Sequence, residues 1–316
     1  MKTILVLIAS VLFCFTSVYG QVTDAEKLLR NQNVADTLQG WKTGGVFSVN
    51  MAQTSLTNWA AGGQNSIAMN GMLSVFANYK KGNSVWDNSL DLGYGLLKQN
   101  DEDFRKTDDK IDLVSKYGRK AFTNFYYAAL MNFKTQFTDG YKYPDVSKKI
   151  SDLLAPAYLT TALGLDYKPS SYFSAFIAPL TAKFTFVTDE SLSLSGAFGV
   201  DPGENIKSEI GGYIRAIYSR NDFNAELLQN VSFTTKIDLF SNYIENPQNI
   251  DISWETLIAF KVNKFLSVNF NTLLMYDDNI TILKDRNNDG TIEANEGCKS
   301  LIQFKEIFGV GFSYKF

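Results

Sequence analysis

From Gly44 to the last residue the sequence alternates two by two, in segments of about 10 residues parted by turns. That period belongs to strands, whose successive side chains point to opposite faces. Over 67–79 the odd positions are Ile67, Met69, Gly71, Leu73, Val75, Ala77 and Tyr79, with Asn70, Ser74 and Asn78 between them. The next segment sets Trp86, Leu90, Leu92, Tyr94 and Leu96 against Asp87, Ser89, Asp91, Gly93 and Gly95. Later, Ile250, Ile252, Trp254, Ile258 and Phe260 alternate with Asp251, Ser253, Glu255 and Lys261. This pattern leaves charges on a face that would be core in a soluble sandwich. A cylinder with hydrocarbon outside and a polar lumen removes the conflict.

The pattern predicts strands near 44–53, 67–80, 84–97, 110–118, 122–137, 159–168, 172–187, 208–219, 230–241, 249–261, 265–276 and 302–316. Their number is even, and the connections alternate in length, as in an up-and-down barrel inserted from one side. Short turns fall at Lys80 to Asn83, Gly118 to Ala121, Pro169 to Ser171 and Val262 to Lys264, with longer stretches at 54–66, 98–109, 138–158, 188–207 and 277–301, a shorter one at 242–248, and a turn near 220–229 that is longer than its class. The expected fold is all-β: a transmembrane up-and-down antiparallel β-barrel of about 12 strands with a short N-terminal helical extension. Short turns would face the periplasm and long loops the exterior. Aromatic pairs flank the short turns: Tyr79 and Trp86, Tyr117 and Phe122, Tyr167 and Phe173, Tyr218 and Phe223, Phe260 and Phe265. An interfacial girdle has this arrangement, because each ring offers an apolar body and a polar edge. In 172–187 the apolar phase switches across Pro179, as at a bulge, so the pattern does not assign that strand's two faces.

The start of the chain fits export. Lys2 precedes an apolar run from Ile4 to Phe15 broken only by Ser10, and Val18-Tyr19-Gly20 precedes Gln21. Residues 1–20 read as a signal peptide, 21–40 as a periplasmic or lumenal extension and 41–316 as the outer-membrane barrel. Cys14 lies in the signal, which leaves Cys298 as a lone thiol without an assigned role. The chain has no His, which excludes His-dependent triads and imidazole metal sites. A net charge of −3 without a basic stripe gives no footprint for nucleic acid.

The chain ends Phe308-Gly309-Val310-Gly311-Phe312-Ser313-Tyr314-Lys315-Phe316, apolar at every second position. This is similar to the assembly signal of bacterial outer-membrane barrels, which makes membrane lipid and the barrel-assembly machinery the expected partners. The stretches Ala178-Pro179-Leu180-Thr181-Ala182-Lys183-Phe184-Thr185, Gly196-Ala197-Phe198-Gly199-Val200-Asp201-Pro202-Gly203 and Leu239-Phe240-Ser241-Asn242-Tyr243, with Pro247-Gln248-Asn249-Ile250-Asp251, carry a further likeness. Through them most of the chain after residue 20 resembles an uncharacterised Bacteroidota outer-membrane family known only as a domain of unknown function. The resemblance implies a barrel and supplies no activity or site.

Two constellations carry chemistry. Asp285, Asn287, Asp289, Thr291, Glu293 and Glu296, with Gly290 at the turn, fit the twelve-position loop that wraps Ca2+ in oxygen ligands. The plain alternative is a polar hairpin tip with an Asn-Asn-Asp-Gly turn. The second is the lumen face, where Asp87, Asp91, Asp112, Glu209, Asp238, Asp251 and Glu255 oppose Lys116, Lys134, Arg215, Lys236 and Lys261. Mixed signs favour cross-linking over a single-ion pathway. Asp101, Glu102, Asp103, Asp108 and Asp109 read as a solvated rim. The expected function is a non-enzymatic outer-membrane barrel, a narrow pore for limited passage of a small solute. The competing expectation is a closed structural barrel whose loops bind a surface partner. For the calcium loop, millimolar Ca2+ should protect residues 277–301 from protease, and replacing Asp285 and Glu296 should abolish that protection; cleavage unchanged by chelator removes the site.

Overall fold

The computed structural model describes residues 39–315, apart from 58–62, 101, 144, 171, 221–222, 224, 226–227, 264–265 and 283–298. The strands are β1 (Gly40–Thr54), β2 (Ser66–Lys81), β3 (Ser84–Gln99), β4 (Arg105–Phe122), β5 (Phe125–Thr135), β6 (Gly140–Lys142), β7 (Asp145–Ser151), β8 (Ala157–Tyr167) and β9 (Phe173–Phe186). After a short helix, α1 (Glu190–Leu194), come β10 (Ile206–Arg220), β11 (Val231–Asn242), β12 (Ile250–Lys261), β13 (Leu266–Tyr276), β14 (Thr281–Ile282), β15 (Lys299–Ser300) and β16 (Gln303–Lys315). Twelve of them form one closed barrel, in the order β1-β16-β13-β12-β11-β10-β9-β8-β5-β4-β3-β2, every neighbour antiparallel. β6 with β7 and β14 with β15 are small hairpins in the connections. No helix among the described residues is long and apolar enough to cross a membrane.

The seam joins β1 to β16, Val46 opposite Lys315 through Asn50 opposite Gly311. The alternating C-terminal residues make it possible. Phe308, Val310, Phe312 and Tyr314 point outward, with Phe308 69% exposed. Gly311 lies where a Cβ would overlap the Val49 carbonyl oxygen and the Asn50 side chain. Large apolar residues lie exposed on the same outward face elsewhere, among them Phe47, Met69, Tyr127, Ile177, Ile210 and Trp254.

Five of the aromatics expected beside the turns, Tyr79, Trp86, Phe122, Tyr167 and Tyr218, meet neighbouring rings. The rings of Trp41 and Tyr79 are 5.2 Å apart, Trp41 and Trp86 5.6 Å. Phe125 touches both Phe122 and Tyr167, each at 4.6 Å, and Tyr218 lies 6.1 Å from Phe233. Phe265 and the expected turn's Lys264 fall outside the described residues.

Two expectations about the chain path need correction. The turn expected at Gly118 to Ala121 lies inside β4; the chain reverses at Thr123 and Asn124, where Asn124 takes a left-handed φ of 63°. Asn tolerates that conformation because its short polar side chain can bond locally, and it outweighs the glycine upstream. Asp108 and Asp109, expected on a solvated rim, lie in β4 and are turned into ion pairs. Asp109 accepts Lys106 at 2.9 Å and the amides of Phe137 and Thr138 at 2.7 and 3.1 Å.

The phase switch in β9 is a bulge at Pro179. Along β10, Thr181 faces Gly211 and Ala178 faces Tyr213, so Pro179 and Leu180 oppose one residue. Before the bulge Phe176 and Ala178 are buried, and after it Thr181, Lys183 and Thr185; Ile177 and Leu180 stay outside. Proline lacks the N–H that a regular ladder would use, and a bulge is where a strand tolerates it. Gly164 of β8 sits against the bulge, where a Cβ would overlap the Ile177 carbonyl oxygen. Gly164→Val should therefore cost more than about 3 kcal/mol, above the usual range for overpacking, because backbone cannot move aside. Loss of the heat-modifiable band on unboiled gels would show it; unchanged migration and unfolding temperature would contradict it.

Candidate lumenal site

The inward faces build two unlike halves. Under β5, β8, β9, β10 and β11, Ala128, Leu130, Ala162, Phe176, Ala178, Tyr213 and Phe240 pack into a small apolar core inside the barrel. Phe176 and Tyr213 meet edge to face at 6.3 Å. A cavity of about 140 Å3 lies mainly along β1, β2, β3, β13 and β16 and is completed by side chains of β4, β11 and β12. Small side chains open it: Ser48 on β1, Ser74 on β2, Gly93 on β3 and Gly309 on β16 all line it.

Ion pairs run between and around these halves in three tiers. In the first, Lys116 lies 2.7 Å from Asp166, and Lys168 bridges Asp166 at 3.3 Å and Asp87 at 3.1 Å. Asp166 is 1% exposed, so two cations neutralise one buried carboxylate. The middle tier crosses the lumen. Lys110 of β4 reaches Glu255 of β12 at 3.2 Å, and these strands stand six places apart in a ring of twelve, on opposite walls. Lys236 of β11 joins the same carboxylate at 2.9 Å and approaches Asp112 at 3.9 Å. Asp112, 2% exposed, also accepts the Asn132 amide at 2.6 Å. Asp238 gathers Arg215 at 3.6 Å, Lys134 at 3.7 Å and the Tyr213 hydroxyl. In the third tier, Lys183 sits among Asp251 at 2.6 Å, Asp277 at 3.3 Å and Glu209 at 3.5 Å, with its ammonium 5.1 Å from the centre of the Phe240 ring.

Over this third tier lies a cap built from the connections. Ala155, Val187, Leu192 and Val200 form its core, and Asp189 caps α1 by accepting the Leu192 amide at 3.0 Å. Lys149 of β7 ties Asp189 at 2.9 Å to Asp152 at 2.6 Å. The Ser191 hydroxyl, then the Lys149 ammonium and the Leu192 amide, hold the Asp189 carboxyl well below the usual carboxylate range.

The charges read from sequence are thus largely brought together: Asp87, Asp112, Lys116, Lys134, Glu209, Arg215, Lys236, Asp238, Asp251 and Glu255 all pair in the lumen. Asp91 accepts the Ser74 hydroxyl, and Lys261 closes β12. Sequence reasoning missed Lys110, Asp166, Lys168 and Lys183. Asp166 and Lys168 alternate with Leu163, Leu165 and Tyr167, so the same two-residue count would have found them. Lys183 was hidden by the Pro179 phase switch. The calcium-loop residues Asp285, Asn287, Asp289, Thr291, Glu293 and Glu296 lie outside the described residues, as do Cys298 and residues 1–38.

The family described as protein of unknown function (DUF3078) matches residues 51–141. The stretches 178–185, 196–203 and 239–251, which carried the resemblance in sequence, lie beyond that match. No curated protein matches. The translocator domain of the autotransporter NalP from Neisseria meningitidis is 8% identical, with a TM-score of 0.39, covering 93% of this chain and 95% of that one. An outer membrane channel from Pseudomonas putida F1 is 8% identical at a TM-score of 0.38, covering 90% and 98%. OmpF from Salmonella typhi is 9% identical at a TM-score of 0.26, covering 88% and 98%. The closed hydrogen-bond ladder itself defines the barrel.

Breaking the first tier at its shared carboxylate takes from the buried Lys116 its ion-pair partner and leaves Lys168 with Asp87 alone. Asp166→Ala should destabilise by about 3–5 kcal/mol, whereas Glu102→Ala, which frees an exposed partner of Arg105, should cost less than about 1 kcal/mol. Denaturant midpoints in detergent micelles compare the two; equal midpoints would refute the tier's structural role.

Proposed function

We propose that this chain is a non-enzymatic bacterial outer-membrane barrel that gives a small solute limited passage. The observation that carries the reading is the unequal filling of the lumen: one half is packed with apolar side chains, and the other keeps a hydrogen-bonding cavity along β1–β3, β13 and β16. A barrel serving only as a support has no need of a polar void beside a packed core. Embedding in lipid is supported by the outward apolar side chains and the aromatic rim. The signal-like start and the alternating C-terminal strand support export and delivery through the barrel-assembly machinery. Calcium in the 285–296 loop belongs to the same proposal, as a stiffener of one external connection.

The second reading, a closed barrel whose loops bind a partner, draws on one observation: the Lys110–Glu255 pair joins opposite walls at 3.2 Å and narrows the lumen at its middle. Conductance separates the readings. Refolded protein in planar bilayers should pass a small current, and removing the cross-lumen pair with Lys110→Ala and Glu255→Ala together should raise it. Silence of both forms across salts and voltages would leave the closed barrel.

A further inference from the structure

Resting on the passage reading, we infer that the cavity along β1–β3, β13 and β16 is a binding site for an uncharged polyhydroxyl solute, of the sugar-alcohol or small-sugar class, and disfavours ions of either sign. Its formal charges cancel. Lys110, Lys236 and Lys305 line it with Asp91, Asp108 and Glu255, three against three. They are also committed to one another or to neutral neighbours: Lys110 and Lys236 to Glu255 at 3.2 and 2.9 Å, Lys305 to Asp108 at 2.8 Å, and Asp91 to the Ser74 hydroxyl. An ion of either sign would shed water there and gain no net attraction from a wall whose charges sum to zero.

What the wall offers instead is hydrogen bonding without charge. Asn50, Asn70, Asn269 and Asn271 enter the cavity from three strands. The side-chain oxygens of Asn50 and Asn269 are buried, and neither accepts a hydrogen bond among the described residues. A buried amide oxygen left without a donor is costly, and a solute hydroxyl supplies the donor it lacks. Beside the amides stand Met72, Leu257, Leu273 and Ile307. A polyol presents C–H surface and hydroxyls in alternation, so it matches an amide edge next to an aliphatic wall, whereas a carboxylate or ammonium matches neither. The β16 glycine Gly309 keeps this wall low, because a Cβ there would press on the Asn50 side chain.

The test uses the full chain refolded into phosphatidylcholine vesicles, with equal salt on both sides. Trace amounts of labelled sorbitol, gluconate and glucamine are compared; the three share a six-carbon skeleton and differ at one terminal group. Sorbitol should enter about tenfold faster than either ion, corresponding to about 1.4 kcal/mol. Asn269→Asp, which adds one negative charge to the wall, should move the preference to glucamine. Asn271→Asp serves the same purpose should the first variant fail to show the folded, heat-modifiable band. Equal entry of all three, or an ion entering fastest in the unaltered protein, overturns the solute class while leaving passage intact. No entry of any probe, together with silence in planar bilayers, removes the passage reading and this inference with it.

Discussion

Closure is the constraint on which everything else depends. An open sheet leaves a row of unpaired N–H and C=O groups along each edge, and a closed one leaves none. The β1–β16 ladder closes the ring with five residue pairs among the described residues, fewer than any other neighbouring pair there. It can form only because β16 carries aromatics outward and glycine inward where β1 comes close. The alternation at the C-terminus is therefore both the outer surface of the barrel and the fit of its seam.

Once the ring is closed, the inward face has to be filled, and the chain fills it in two ways. Phe176, Tyr213, Phe240 and Leu130 fill one half as a soluble core would. Elsewhere charged side chains span the gap, and buried charges are tolerable because nearly every carboxylate meets a cation. The Lys110–Glu255 pair acts as a strut between walls that share no backbone hydrogen bond. The void beside it survives because serine and glycine occupy the inward positions that bulkier residues hold across the lumen.

Much of the fold was legible because a strand's period is short and its two faces carry different side chains. The strand number, the aromatic rim and the inward charges of β3, β11 and β12 all follow from counting by twos. Counting failed where a local device resets the phase or the turn: the Pro179 bulge concealed Lys183, and Asn124 displaced a turn that Gly118 had seemed to mark. Asp108 and Asp109 read as rim charges because β4 begins at Arg105, five residues before the strand that alternation predicts at 110–118. Pattern alone places a strand end poorly, since the last residues pair only once their neighbour is in place.

The sequence by itself determined an all-β barrel with an apolar outside and a charged inside, because alternation dictates which side chains share a face. Only the tertiary structure decided which of those inward residues meet. Lys110 and Glu255 are separated by 145 positions and lie on strands six places apart in the ring. Their contact depends on the tilt and register of the closed sheet, which no local period encodes. The same geometry set an apolar core against a hydrogen-bonding cavity within one lumen, by bringing β16 and β3 together across strands whose sequences, read singly, differ little from the rest.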